Sequence, residues 1–154
     1  MTYTSSTIVP PSILLVDDEA AFAEALARRI IKRGLKVSMV FNGPDALCKL
    51  KIGGGSTNYD VIILDVKMPG MDGLETLGKI KLKHPNLEVI MLTGHATVES
   101  AIEGMKAGAF DYLMKPCDID LLIAKIDRAV VKKREHEEKI LEARAQMIAL
   151  RKGS

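Results

Sequence analysis

Apolar and polar positions alternate along this chain in two distinct periods. Ile13–Val16, Val61–Leu64 and Val89–Leu92 are short, wholly apolar runs, as expected of strands buried on both faces. Val37–Phe41 and Phe110–Met114 alternate apolar and polar residues, as expected of half-exposed strands. Helical spacing lies between these runs. Phe22, Leu26 and Ile30 recur every fourth residue within 20–33, with Gly34 as a C-terminal stop. Asn42-Gly43-Pro44 reads as the cap and first turn of a short helix to about Ile52, followed by a Gly-Gly-Gly-Ser loop at 53–56. Asp72 and Glu75 have capping-box spacing for a helix to about Lys83. Val98–Lys106 is a further helix, and a last one begins near Asp118.

Strands alternating with helices predict an α/β fold with a parallel sheet covered on both faces. The two alternating strands belong at the edges, which the flavodoxin-like doubly wound order 2-1-3-4-5 satisfies. That order makes strands one and three neighbours and puts a ligand crevice outside their carboxyl ends.

Those ends are acidic. Strand one runs into Asp17, Asp18 and Glu19, and strand three into Asp65. Neighbouring strands lie about 4.8 Å apart, so the aspartates converge and raise one another's pKa. A divalent cation relieves the repulsion, and an all-oxygen donor set favours Mg²⁺ over zinc. Asp17 or Asp18 could instead cap the first helix. Strand four ends in Thr93-Gly94 and strand five in Lys115-Pro116, adding a hydroxyl, an open amide and an ammonium group. Together these groups suit a transferring phosphoryl group, for which a carboxylate can be the nucleophile.

DD at 17–18, D-x-x-M-P-G-x-D-G at 65–73, T-G at 93–94 and K-P at 115–116 resemble the receiver domain of two-component response regulators. The segment around 94–115 and the charged helical extension are similar to receivers that precede an ATPase in enhancer-binding transcriptional activators. The resemblance implies that Asp65 accepts phosphate from a sensor histidine kinase or phosphotransfer protein. It implies that Asp18, Asp65 and the backbone carbonyl of Lys67 hold Mg²⁺, with Asp17 assisting. Lys115 would pair with the phosphoryl oxygens, across a cis Lys115–Pro116 bond. Thr93 and Tyr112 would form the switch that exposes a surface to an output partner or a second copy. The chain would thus be a phosphoacceptor rather than an enzyme. Lys67 and His95 occupy positions that tune phosphoryl lifetime in this family. Neither orients a water as a carboxylate or amide would, so dephosphorylation is expected to be slow, over minutes or longer.

Composition narrows the alternatives. Of the 154 residues, 47% are hydrophobic and 27% charged, with a net charge of +2, no Trp and six Phe or Tyr. This is a soluble, globular profile that gives no reason to expect nucleic acid or a membrane as direct partner. Cys48 and Cys117 lack metal-ligand spacing and read as reduced, packed thiols in a cytoplasmic protein. A nucleotide-binding fold would repel phosphate at the first acidic loop. An aspartyl-phosphate phosphatase would need an acid at position 67. A receiver-like module that acts without phosphorylation remains the alternative.

The expected organisation is a flexible segment over 1–11, a receiver over 12–131 and a charged helical tail or linker over 132–154. Ile119, Leu122, Ile123, Ile126 and Val130 would form the packed face of the last helix. Residues 119–154 hold nine Lys/Arg against six Asp/Glu. The run KKREHEEK, 132–139, reads as a solvated face with Lys133/Glu137 and Glu135/Lys139 pairs, and with His136 in solvent. Beyond it, partial apolar stripes (Ile140 and Met147; Leu141, Ala145 and Ile148) leave a homodimer open.

Overall fold

A computed structural model describes residues 9–51, 58–94 and 98–153. The 53–56 loop and His95 lie outside these residues. The elements in chain order are β1 (Ser12–Val16), α1 (Ala20–Ile31), β2 (Lys36–Val40), α2 (Gly43–Lys51), β3 (Val61–Leu64), α3 (Gly73–Lys83), β4 (Glu88–Thr93), α4 (Val98–Lys106), β5 (Asp111–Met114) and α5 (Ile119–Lys152). The five strands form one parallel sheet in the order β2-β1-β3-β4-β5. β1, β3 and β4 are buried almost throughout, whereas β2 and β5 are partly exposed, as their alternating sequences require.

Because successive strand residues point to opposite faces, the apolar runs feed two cores. Ile13, Leu15, Ile63, Ile90 and Leu92 meet Leu26 and Ile30 of α1 and Leu122 and Ile126 of α5. Leu14, Val16, Ile62, Leu64, Val89 and Met91 meet Leu50 of α2 and Leu77 and Ile80 of α3. Each fully buried Leu or Ile contributes about 2 kcal/mol of transfer free energy. The two layers therefore set which strand ends meet at the crevice.

Local signals act where the sequence places them. Asn42 Oδ1 accepts from the Asp45 amide at 2.7 Å, and Asp72 Oδ1 accepts from the Glu75 amide at 2.9 Å. Asp118 caps α5 through the Asp120 amide, at 2.9 Å. Helix α1 ends at Ile31, two residues earlier than its apolar period suggests, and Gly34 follows with φ of 91°. Neither Asp17 nor Asp18 is the cap of α1; that position is Glu19, whose amide donates to Asp17 Oδ1 at 2.9 Å.

Three expectations need correction. Cys48 is exposed rather than packed, because α2 turns Ala46 and Leu50 inward. The face is not solvated throughout 132–139: Lys133 is 6% exposed and Arg134 is half-buried against Asp60, while Lys132 stays exposed as it pairs with Glu88. Glu135 and Lys139 form no ion pair, whereas Lys133 and Glu137 do, at 2.9 Å. His136 is exposed, and Ile119, Leu122, Ile123, Ile126 and Val130 pack as expected.

Candidate phosphoryl-acceptor site

The amide of Asp65 donates to the carbonyl of Val16 at 3.0 Å, and that of Asp17 to Val40 at 3.2 Å. These bonds continue the β1–β3 and β1–β2 ladders by one residue and hold the acidic strand ends side by side. Carboxylate oxygens of Asp17, Asp18 and Asp65 lie within 4.8 Å of one another. Asp17 and Asp65 are buried, at 1% and 4% exposure, while Asp18 faces solvent.

Among the described residues, Lys115 is the cation that serves this cluster. Lys115 Nζ lies 2.6 Å from Asp17 Oδ2, 3.2 Å from Glu19 Oε1 and 3.6 Å from Asp65 Oδ2. Its ammonium group also sits 4.3 Å from the centre of the Phe22 ring. Glu19, the third acid of the first strand end, thus meets the lysine, and Phe22 joins the site without having been singled out from sequence. Phe22 reads there as one more member of the apolar face of α1. The Lys115–Pro116 peptide is cis, and the Lys115 amide donates to the Thr93 carbonyl at 2.8 Å.

Burial pushes the Asp65 carboxyl up from its ordinary 3.8 to about 6, reinforced by Asp17 and Asp18 and opposed by Lys115. The Lys115 ammonium is raised: its acid partners Asp17, Asp65 and Glu19 outweigh the desolvation, the largest single effect, that would lower it. The cluster is short of positive charge. An oxygen-only donor set with two buried members fits a hard divalent cation such as Mg²⁺.

The other residues singled out from sequence lie on β4, on β5 and in the loop after β3. Thr93 is fully buried at the end of β4, next to β3. Tyr112 is half-buried on β5 opposite Met91, and its hydroxyl lies 3.0 Å from Ser100 Oγ of α4. Lys67 is exposed in the loop after Asp65. Gly73 closes that loop: its amide donates to the Val66 carbonyl at 2.7 Å, and a Cβ there would sit 2.1 Å from the Asp65 carbonyl oxygen. Only glycine allows the start of α3 to approach the acceptor's backbone so closely.

Among the described residues no helix is long and apolar enough to cross a membrane. Residues 13–127 match the response regulator receiver domain family. The chain is 38% identical over 126 residues to the DNA-binding transcriptional regulator NtrC of Salmonella typhimurium, covering 82% of this chain and 26% of the relative. It is 36% identical over 123 residues to the transcriptional regulatory protein ZraR of the same species, covering 80% and 27% respectively. The chain therefore spans about a quarter of the length of these curated relatives. Among solved structures, it is similar to the receiver domain of NtrX from Brucella abortus, with a TM-score of 0.70, 32% identity and coverage of 77% and 97% of the two chains. A CheY-like receiver domain protein from Methanospirillum hungatei gives a TM-score of 0.76 at 27% identity, covering 83% and 99%. The fold, the ordered acids and lysine, and this similarity over most of its length make the chain a member of the response regulator receiver domain family.

Proposed function

We propose that this receiver is switched by phosphorylation of Asp65. The observation that carries the reading is the convergence of Asp17, Asp18 and Asp65, with Lys115 reaching Asp17 and Asp65. A carboxylate oxygen of Asp65 attacks the phosphorus of a phosphohistidine on a sensor histidine kinase or phosphotransfer protein. The oxygen–phosphorus bond forms as the phosphorus–nitrogen bond breaks, and the imidazole nitrogen takes up a proton as it departs. Asp18, Asp65 and the Lys67 carbonyl would hold Mg²⁺, with Asp17 assisting. When bound, the ion neutralises the acids and the charge on the phosphoryl oxygens.

The chain's own residues do the rest. Lys115 exchanges part of its contact with Asp17 for a phosphoryl oxygen. Thr93 donates its hydroxyl to the new group, and Tyr112 follows by turning inward. The altered α4–β5–α5 surface is then read by an output partner or a second copy of the chain. On this reading the chain is a cytoplasmic receiver followed by a helical tail or linker. Relatives named as DNA-binding regulators suggest a transcriptional output, supplied outside these residues.

Incubation with acetyl phosphate and Mg²⁺, followed by intact mass, tests the reading. One phosphoryl addition is expected, absent in Asp65→Asn and in a chelated sample. No addition under any condition would favour a phosphorylation-independent interaction module.

A further inference from the structure

Opposite the acidic crevice, the amino-terminal edge of the sheet carries a second ionic cluster. Asp60, just before β3, is largely buried and accepts from the Ser12 amide at 2.9 Å. Arg134 of α5 reaches the same carboxylate from Nε and Nη2, both at 3.3 Å, and its Nη2 also donates to the Val9 carbonyl at 3.1 Å. Lys133 lies 3.8 Å from Asp60 and 2.9 Å from Glu137. Beside them, Glu88 of β4 is 4% exposed and pairs with Lys132 at 3.1 Å and Lys81 at 3.6 Å. Three consecutive basic residues of the outgoing helix are thus gripped by acids at the bases of two central strands.

We propose that Asp60 is the latch that fixes the C-terminal helix to the receiver. It makes residues 132–137 part of the domain and starts the free tail only after Glu137. A surface pair between long side chains contributes little, but this cluster is different in three respects. Its carboxylate side chain is only 14% exposed, its arginine contact is two-pronged, and Lys133 is almost fully buried. A buried lysine needs its acid partners, because removing them strands an unpaired charge. The latch also joins segments distant in sequence: the chain entering β1, the chain entering β3, and α5. Past Glu137, α5 runs to Lys152 with only Ile140 sheltered. An isolated stretch of that length is marginal as a helix in water, so the latch is what gives the tail a fixed root and direction.

Asp60 and Asp65 stand at opposite ends of β3, roughly 16 Å apart at about 3.3 Å per residue. Substitution at Asp60 is therefore expected to leave the acidic crevice intact. Asp60→Asn keeps the size and an acceptor for the Ser12 amide while removing the charge, and Arg134→Gln removes it from the other side.

Amide hydrogen exchange of the full chain tests the proposal. In each variant, exchange across 132–138 should accelerate on the order of tenfold, while 119–128 and phosphoryl uptake from acetyl phosphate stay unchanged. The double variant should exchange no faster than the more affected single one, since both disable one latch. Unaltered exchange at 132–138, acceleration spread evenly over the chain, or effects that simply add would overturn it.

Discussion

Lys115 leans toward Asp17, at 2.6 Å, and away from Asp65, at 3.6 Å. The lysine is therefore engaged by an acid next to the proposed acceptor, within reach of the position a phosphoryl oxygen would take. In this arrangement the ammonium group competes electrostatically with any cation bound by the same carboxylates. Lys115→Ala is expected to bind Mg²⁺ several-fold more tightly by calorimetry, yet to accept phosphate more slowly. Weaker Mg²⁺ binding would show that the lysine supports the metal instead of competing with it.

The raised Asp65 carboxyl makes metal-free stability depend on pH. Between 3.8 and about 6 the folded state holds a proton that the unfolded state has released. Stability therefore falls as pH rises through that window, by up to about 3 kcal/mol, and the penalty persists above it. Asp65→Asn, which mimics the protonated acid, should raise Tm in chelator at pH 7.5 and lose most of that advantage near pH 4. A variant less stable than the parent at pH 7.5 would contradict this.

Gly73 sets the distance between α3 and the acceptor. A methyl group there meets the Asp65 carbonyl oxygen at 2.1 Å and the Val66 Cα at 2.7 Å, both backbone atoms that cannot move aside cheaply. Gly73→Ala is expected to cost about 3 kcal/mol in urea unfolding and to impair phosphoryl uptake, because relief requires shifting the Asp65 backbone. Parental stability together with parental uptake would mean the loop absorbs the change.

Tyr112 is tied to α4 by its contact with Ser100. Ser100→Ala should lower stability by about 1 kcal/mol and accelerate amide exchange in α4 and β5 before it affects β1 or β3. Uniform exchange would indicate that the contact does not hold the two elements together.

Much of this structure is legible in the sequence because it follows from period and burial. Wholly apolar runs sort into central strands, alternating runs into edges, and the order then brings Asp17, Asp18 and Asp65 to one crevice. Glu88 shows where such reading stops. An acid at the start of a buried strand looks like a boundary, so β4 reads as starting at Val89; Lys81 and Lys132, brought in by two separate helices, make the burial possible. Likewise 132–139 has the composition of a solvated helix, and nothing local reveals that Asp60 waits 74 residues away from Arg134. The different settings of the two adjacent aspartates were also hidden. Asp17 turns into the fold to meet Lys115, whereas Asp18 stays exposed.

Borohydride trapping identifies which carboxylate takes the phosphoryl group. Reduction of an acyl phosphate converts the modified aspartate to homoserine, which peptide mass mapping locates. After acetyl phosphate and Mg²⁺, homoserine is expected at position 65 alone. Homoserine at 17 or 18, or at no aspartate despite a phosphoryl adduct on the intact chain, would contradict it.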